Sequence, residues 1–174
     1  MSPIETERLT MRAWTLDDAE RLFDMFRRPE VARWSGTGEP MMSVDEAVAR
    51  IERQPVRMGD HAASFIGALE VKDGGTLAGM AMLVPIPASD GAQRDDFEIG
   101  WHLHPDSWGH GYATEAATAL VERAWAADIP ELYAVTHPDN GPSQAVCARL
   151  GMTDLGLRSD WCDLELRAFR LDHP

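Results

Sequence analysis

Cysteine is scarce in this chain of 174 residues: Cys147 and Cys162 are its two. Two thiols cannot build a disulfide framework, and their spacing is not that of a zinc ribbon. A reduced, cytoplasmic setting is the simplest inference. Long apolar runs are lacking too, so no segment has the length needed to span a bilayer. Met1 to Ile4 carries no basic stretch leading into an apolar one, so no signal peptide is expected. Basic residues are outnumbered, 16 against 29 acidic, for a net charge of −13. That balance argues against general affinity for nucleic acid or anionic membranes. It would favour a cationic acceptor such as an amine or a basic protein terminus, although an acidic surface also serves plain solubility. No repeat, linker or low-complexity segment interrupts the chain, so one domain over residues 1–174 is expected.

What is present is a mixed pattern with 44% hydrophobic residues, enough for a sizeable core and too much for disorder. Arg8 to Trp14 alternates as a strand. Thr15 then opens a helix with Asp18 at the capping-box position and an apolar stripe of Leu16, Ala19, Leu22, Phe23 and Phe26. Pro29 is expected to stop it, and Gly36 to Pro40 reads as a loop. Ser43-Val-Asp-Glu46 is a second capping box, opening a helix to about Gln54. Ser64 to Lys72 and Thr76 to Ile86 read as strands joined by the turn signal Asp73-Gly74-Gly75. Ala88 to Asp95 reads as a polar loop at the sheet edge. Phe97 to Leu103 is a fourth strand with Phe97, Ile99, Trp101 and Leu103 on one face and Glu98, Gly100 and His102 on the other. A helix over Thr114 to Ala127, a buried strand at Leu132 to Thr136, a short helix at Pro142 to Leu150 and two strands, Asp154 to Arg158 and Asp163 to Leu171, complete the order βααβββαβαββ. Such an order indicates an α/β mixed sheet of about seven strands with helices on its faces.

Chemistry concentrates at Trp108 to Ala117, which reads W-G-H-G-Y-A-T-E-A-A between a strand and a helix. Gly109 and Gly111 let the backbone turn and approach a ligand closely. The helix that follows begins with amide N–H groups lacking intrahelical partners, at the positive end of its dipole. That combination suits a phosphate-bearing cofactor. No Gly-Lys-Ser/Thr follows, which excludes a Walker P-loop, and Thr114 replaces the third glycine of a dinucleotide fingerprint.

Trp108-Gly109-His110-Gly111-Tyr112-Ala113 is similar to the R/Q-x-x-G-x-G/A pattern of GNAT N-acetyltransferases, with Trp108 in place of Arg or Gln. W-G-x-G-Y-A-T-E-A resembles the branch of RimJ and RimL, the ribosomal-protein N-acetyltransferases. Glu5-Thr-Glu-Arg-Leu-Thr-Met-Arg12, Glu98-Ile-Gly-Trp101, and Asn140-Gly-Pro-Ser143 followed by Leu150-Gly-Met152 are similar to that branch in the same order. The resemblance implies a GNAT-like, mostly antiparallel sheet, acetyl-CoA as co-substrate, and transfer of acetyl to a primary amine by direct attack. The acceptor would be a small molecule or a protein N-terminus. It also implies that the fourth strand splays from the next, that the two early helices and Trp34 wall the acceptor side, and that a homodimer forms.

The amides of Gly109, His110, Gly111, Tyr112, Ala113 and Thr114 would hold the pyrophosphate, on physical grounds as well as by resemblance. By resemblance, backbone groups of Leu103 and His104 would pair with the pantetheine arm, one N–H there would bind the thioester oxygen, and Asn140 and Ser143 would contact the cofactor. Glu98 is the leading candidate for the base, since burial would raise its pKa towards that task; His102 is the second. Ser143 could protonate the departing sulfur, or serve as a helix-start cap. Cys147 stands where many GNAT enzymes carry the acidic Tyr. Two other readings stay open: a GNAT-fold module that senses acetyl-CoA without turnover, and a metal enzyme built on His102, His104, His110 and Asp106. The first reading requires no metal.

Overall fold

Alternating apolar and polar residues become a single eight-stranded sheet in the computed structural model of the chain, which describes residues 2–36, 38–91 and 95–174. The expectations for Met1 to Ile4, Gly36 to Pro40 and Ala88 to Asp95 fall in part outside the described residues. The strands are β1 (Ile4–Glu5), β2 (Leu9–Arg12), β3 (Phe65–Val71), β4 (Leu77–Pro85), β5 (Phe97–Leu103), β6 (Glu131–Thr136), β7 (Thr153–Arg158) and β8 (Leu166–Asp172). Their order is β1-β2-β3-β4-β5-β6-β8-β7. Neighbours are antiparallel except β5 and β6, which are parallel. The eighth strand is β1, a two-residue piece too short to register as an alternation.

The helices are α1 (Ala19–Phe26), α2 (Pro29–Ala32), α3 (Val44–Glu52), α4 (Gln54–Met58), α5 (Tyr112–Trp125) and α6 (Gly141–Arg149). Thr15 opens a 3-10 turn, Leu16–Asp18, ahead of α1. Asp18 Oδ2 accepts the Thr15 N–H at 2.8 Å, as a capping box requires, and Arg12 grips both of its oxygens at 2.8 and 3.0 Å. Pro29 starts α2 rather than ending helical structure, because its missing N–H goes unneeded in a first turn. Pro55 plays the same part at the start of α4, which extends the second helical region past its expected end.

Two cores lie on the two sheet faces. Leu9, Met11, Phe65, Leu69, Leu83, Ile99 and Leu132 meet Leu120 and the alanines of α5 on one face. Ile66, Met80 and Val84 meet Leu22, Met25 and Phe26 of α1 and Ala47 and Ile51 of α3 on the other. The Ala88–Asp95 stretch is described at residues 88–91 and 95. It joins two central strands, and its described part is stitched to the β7–β8 loop: Ala88 bridges Trp161, and the Cys162 N–H donates to the Pro87 carbonyl at 2.9 Å. Among the described residues no helix is long and apolar enough to cross a membrane.

Candidate active site

The centre of the sheet opens between its two parallel strands. Pairing of β5 with β6 covers Phe97↔Leu132 and Glu98↔Tyr133 and goes no further, while β4 follows β5 along its whole length. Beyond Glu98 the far edge of β5 therefore faces a gap. Leu103 stands opposite Gly79, and the His104 N–H donates to the Ala78 carbonyl at 2.9 Å. That bond makes Leu103 and Gly79 a non-hydrogen-bonded pair. The Leu103 N–H and C=O consequently turn away from β4 and into the gap, as do those of Trp101 two residues earlier. The Leu103 carbonyl accepts from Trp108 Nε1 at 3.0 Å. The His104 N–H is engaged with Ala78, and its carbonyl accepts from the Ser107 N–H at 2.9 Å. Trp101 and Leu103 thus turn their backbone groups into the gap.

At the mouth of the gap the chain makes its glycine turn. Gly109 and Gly111 have φ of 79° and 81°, the left-handed region that favours glycine. Gly111 is the N-cap of α5, and Glu115 N–H donates to its carbonyl at 3.1 Å as the first helical bond. The amides of Tyr112, Ala113 and Thr114 precede it and have no intrahelical acceptor. A Cβ at Gly109 would meet open space, and one at Gly111 would meet only Arg8 Nη2, at 3.4 Å. This is a cradle that fits a phosphate. Arg8 is the residue that sequence reading missed as part of it, having entered only as a letter of the opening motif. Its guanidinium donates to the His110 carbonyl at 2.8 Å, pairs with Glu115 at 2.7 Å and lies 5.1 Å from the Tyr112 ring centre. His110 stacks on Tyr112 at 5.4 Å.

On the α1–α4 face of the gap lies Glu98, with 7% of its surface exposed. Burial pushes its carboxyl up to about 7, against a smaller opposing pull from Arg57 of α4, whose guanidinium is 3.6 Å away. A carboxyl poised there can take a proton near neutral pH. His102 is four residues further along β5 on the same face, its ring 5.3 Å from that of Phe26. Burial, together with Arg50 and Arg57, lowers its pKa to about 3, so it is a neutral ring at physiological pH and a weak proton acceptor. Gly100 between them pairs regularly with Met82, without a bulge, and a Cβ there would lie 2.6 Å from the Met82 methyl. The Trp34 ring, from the turn after α2, lies 5.4 Å from the His137 ring, just past β6.

The far wall is the start of α6. Asn140 is its N-cap, with Oδ1 accepting the Ser143 N–H at 3.3 Å. Ser143 is thus the capped residue and not the cap, which leaves its half-buried hydroxyl free of that duty. Cys147, one turn on, is 1% exposed in the core beneath α5, and burial pushes its thiol up to about 12. The histidines do not gather. His104 is buried, with Nε2 2.9 Å from Asp24 and Nδ1 2.8 Å from Asp106, which ties α1 to the end of β5. Among the described residues no group of three or more His, Cys, Asp or Glu is placed to hold a metal ion.

The acetyltransferase (GNAT) domain family matches residues 8–153. YoaA of Bacillus subtilis (strain 168), an uncharacterized N-acetyltransferase, is 29% identical over 168 residues, covering 90% of this chain and 86% of that protein. The acetyltransferase from Agrobacterium tumefaciens str. C58 superposes with a TM-score of 0.79 at 24% identity, covering 99% of this chain and 95% of that one. RimL, a ribosomal L7/L12 alpha-N-protein acetyltransferase solved in complex with coenzyme A, superposes with a TM-score of 0.74 at 16% identity over 98% of both chains. Those two structures speak to the fold; the match over residues 8–153 speaks to descent, and by it the chain belongs to the GNAT acetyltransferase family.

Proposed function

We propose that this chain moves the acetyl group of acetyl-CoA onto a primary amine by direct attack in a ternary complex, with Glu98 as the base. The observation that carries the reading is Glu98 itself, a buried carboxyl raised to about 7 on the strand that borders the gap. Acetyl-CoA would supply an activated acyl group; the other requirements fall to residues of this chain. The amides of Gly109 to Thr114 hold the pyrophosphate, with Arg8 fixing the turn from behind. The gap-facing backbone of Trp101 and Leu103 pairs with the pantetheine arm, and an N–H there stabilises the negative charge that develops on the thioester oxygen, a contribution on the order of a hundredfold in rate. Glu98 accepts the proton the amine loses as its nitrogen bonds to the acyl carbon. The carbon–sulfur bond breaks, and the departing thiolate takes a proton from water, directly or relayed through the Ser143 hydroxyl, which recovers a proton from water in the same transfer. Cys147 is not that donor, since it is 1% exposed and packed in the core beneath α5.

The W-G-x-G-Y-A-T-E-A run and the ordered motifs around it support a place in the RimJ/RimL branch. Calorimetric titration with acetyl-CoA, followed by thiol release with a panel of amines, tests the reading. Saturable binding and steady release are expected. Binding without release from any amine would point to the non-catalytic sensor, and no binding by folded protein would remove the cofactor assignment.

A further inference from the structure

Most guanidiniums of this acidic chain have a carboxylate. Arg12 pairs with Asp18 and Glu70, Arg21 with Asp106, Arg28 with Asp24 and Arg167 with Asp154. Arg50 of α3 differs. It is half-buried, and among the described residues it has no hydrogen-bond or ion-pair partner; its guanidinium lies 4.0 Å from the centre of the Phe26 ring. With Phe26, Ala32, Ser35, Gly36 and Met41 it lines a pocket of about 190 Å³ beneath the loop after α2. Glu39 and Glu46 are also on the pocket wall, but neither forms an ion pair with it, and Glu46 instead accepts the Met42 N–H at 3.2 Å. The same Phe26 ring touches His102, so the pocket borders the acceptor face of β5. Burial and the neighbouring charges of Arg57 and Arg53 lower the Arg50 guanidinium to about 10. Arg57, one of those neighbours, stands 3.6 Å from Glu98. Cations thus run from the pocket to the base, while His102 adds no charge.

A partly desolvated guanidinium without a counter-charge is costly, and its fork matches a carboxylate or phosphate in two parallel hydrogen bonds. We infer that the acceptor is an amine that also carries an oxyanion, and that Arg50 binds this oxyanion while the amine lies beside Glu98. The inference rests on the acetyl-transfer reading and narrows it: polyamines and basic protein termini are disfavoured, and small amino acids or amino phosphates are preferred.

Thiol release from acetyl-CoA is to be compared for glycine, β-alanine and O-phosphoethanolamine against glycinamide, β-alaninamide and ethanolamine. The anionic member of a pair should exceed the neutral one by about ten- to a hundredfold in kcat/KM, mainly through KM. The pair with the larger ratio distinguishes carboxylate from phosphate. Arg50→Met should erase the preference without changing acetyl-CoA affinity, and Arg50→Lys should keep part of it. Equal or better use of the neutral amines, or a preference that survives Arg50→Met, would overturn the inference and leave acetyl transfer standing. Should none of these amines turn over, binding of N-acetylglycine to the coenzyme A-loaded protein, present in the parent and lost in Arg50→Met, decides the same question. Failure of the parent to bind acetyl-CoA would overturn the acetyl-transfer reading, and this inference with it.

Discussion

Glu98 links the site's chemistry to the protein's stability. Its folded pKa of about 7 lies above the ordinary 4.5, so the folded state holds the proton more tightly. Its contribution to stability is fully present below about 4.5 and is lost as pH rises through about 7. At pH 8 the buried charge destabilises the fold by about 3 kcal/mol. Glu98→Gln should therefore raise the urea midpoint at pH 8 and leave it nearly unchanged at pH 4. In the same variant, kcat should fall by about a hundredfold or more, and the rise in rate through pH 7 should disappear from the profile. An unaltered pH–rate profile would sink the assignment. Arg57→Ala should move that rise to higher pH, since it removes the charge that opposes the upward shift. Cys147→Ala should leave the rate within about twofold while lowering stability by about 1 kcal/mol, as expected for a packed core thiol with no catalytic duty. Strand alternation alone put Glu98 and His102 on one face. Which of them is proton-poised depends on Arg50, Arg57 and Phe26, all distant in sequence.

The glycine turn and the helix after it are the most local element of the site, and they were the most legible. Positive φ at Gly109 and Gly111 and a free helix start are properties of a ten-residue stretch. Arg8 comes from the other end of the chain and is held there by Glu115 and the His110 carbonyl. This exposed pair is worth under about 1 kcal/mol. Arg8→Met should leave the melting temperature within a few degrees yet weaken acetyl-CoA binding, read by calorimetry, because the turn loses its brace. Gly111→Trp should abolish that binding in a protein that still folds, as the new side chain occupies the cradle. The parting of β5 from β6 is equally non-local. Each strand reads as a strand, but their pairing ends after Glu98↔Tyr133, a register no local pattern states. The same holds for His104, whose N–H the register with β4 engages with the Ala78 carbonyl.

For the whole molecule, a net charge of −13 sets a mild self-repulsion that salt screens. Raising NaCl from about 0.02 to 0.2 M should increase the melting temperature by a few degrees, measured by scanning calorimetry at pH 8; a decrease would show that the ion pairs outweigh the excess charge. The same net charge suggests a cationic acceptor, yet the face of β5 that carries Glu98 and His102 has Arg50 and Arg57 beside it. Composition averages over the surface, while a site is decided by the few groups that folding concentrates. Sequence by itself determined the mixed α/β class, nearly every strand and helix and the phosphate turn, because periodicity, capping and glycine conformation act over a few residues. Tertiary structure alone decided the gap beside β5, the raised pKa of Glu98, the bracing by Arg8, the partners of His104 and the lone charge of Arg50. Each of these depends on burial or on a partner brought from elsewhere in the chain, and desolvation and pairing exist only once the two faces of the sheet are covered.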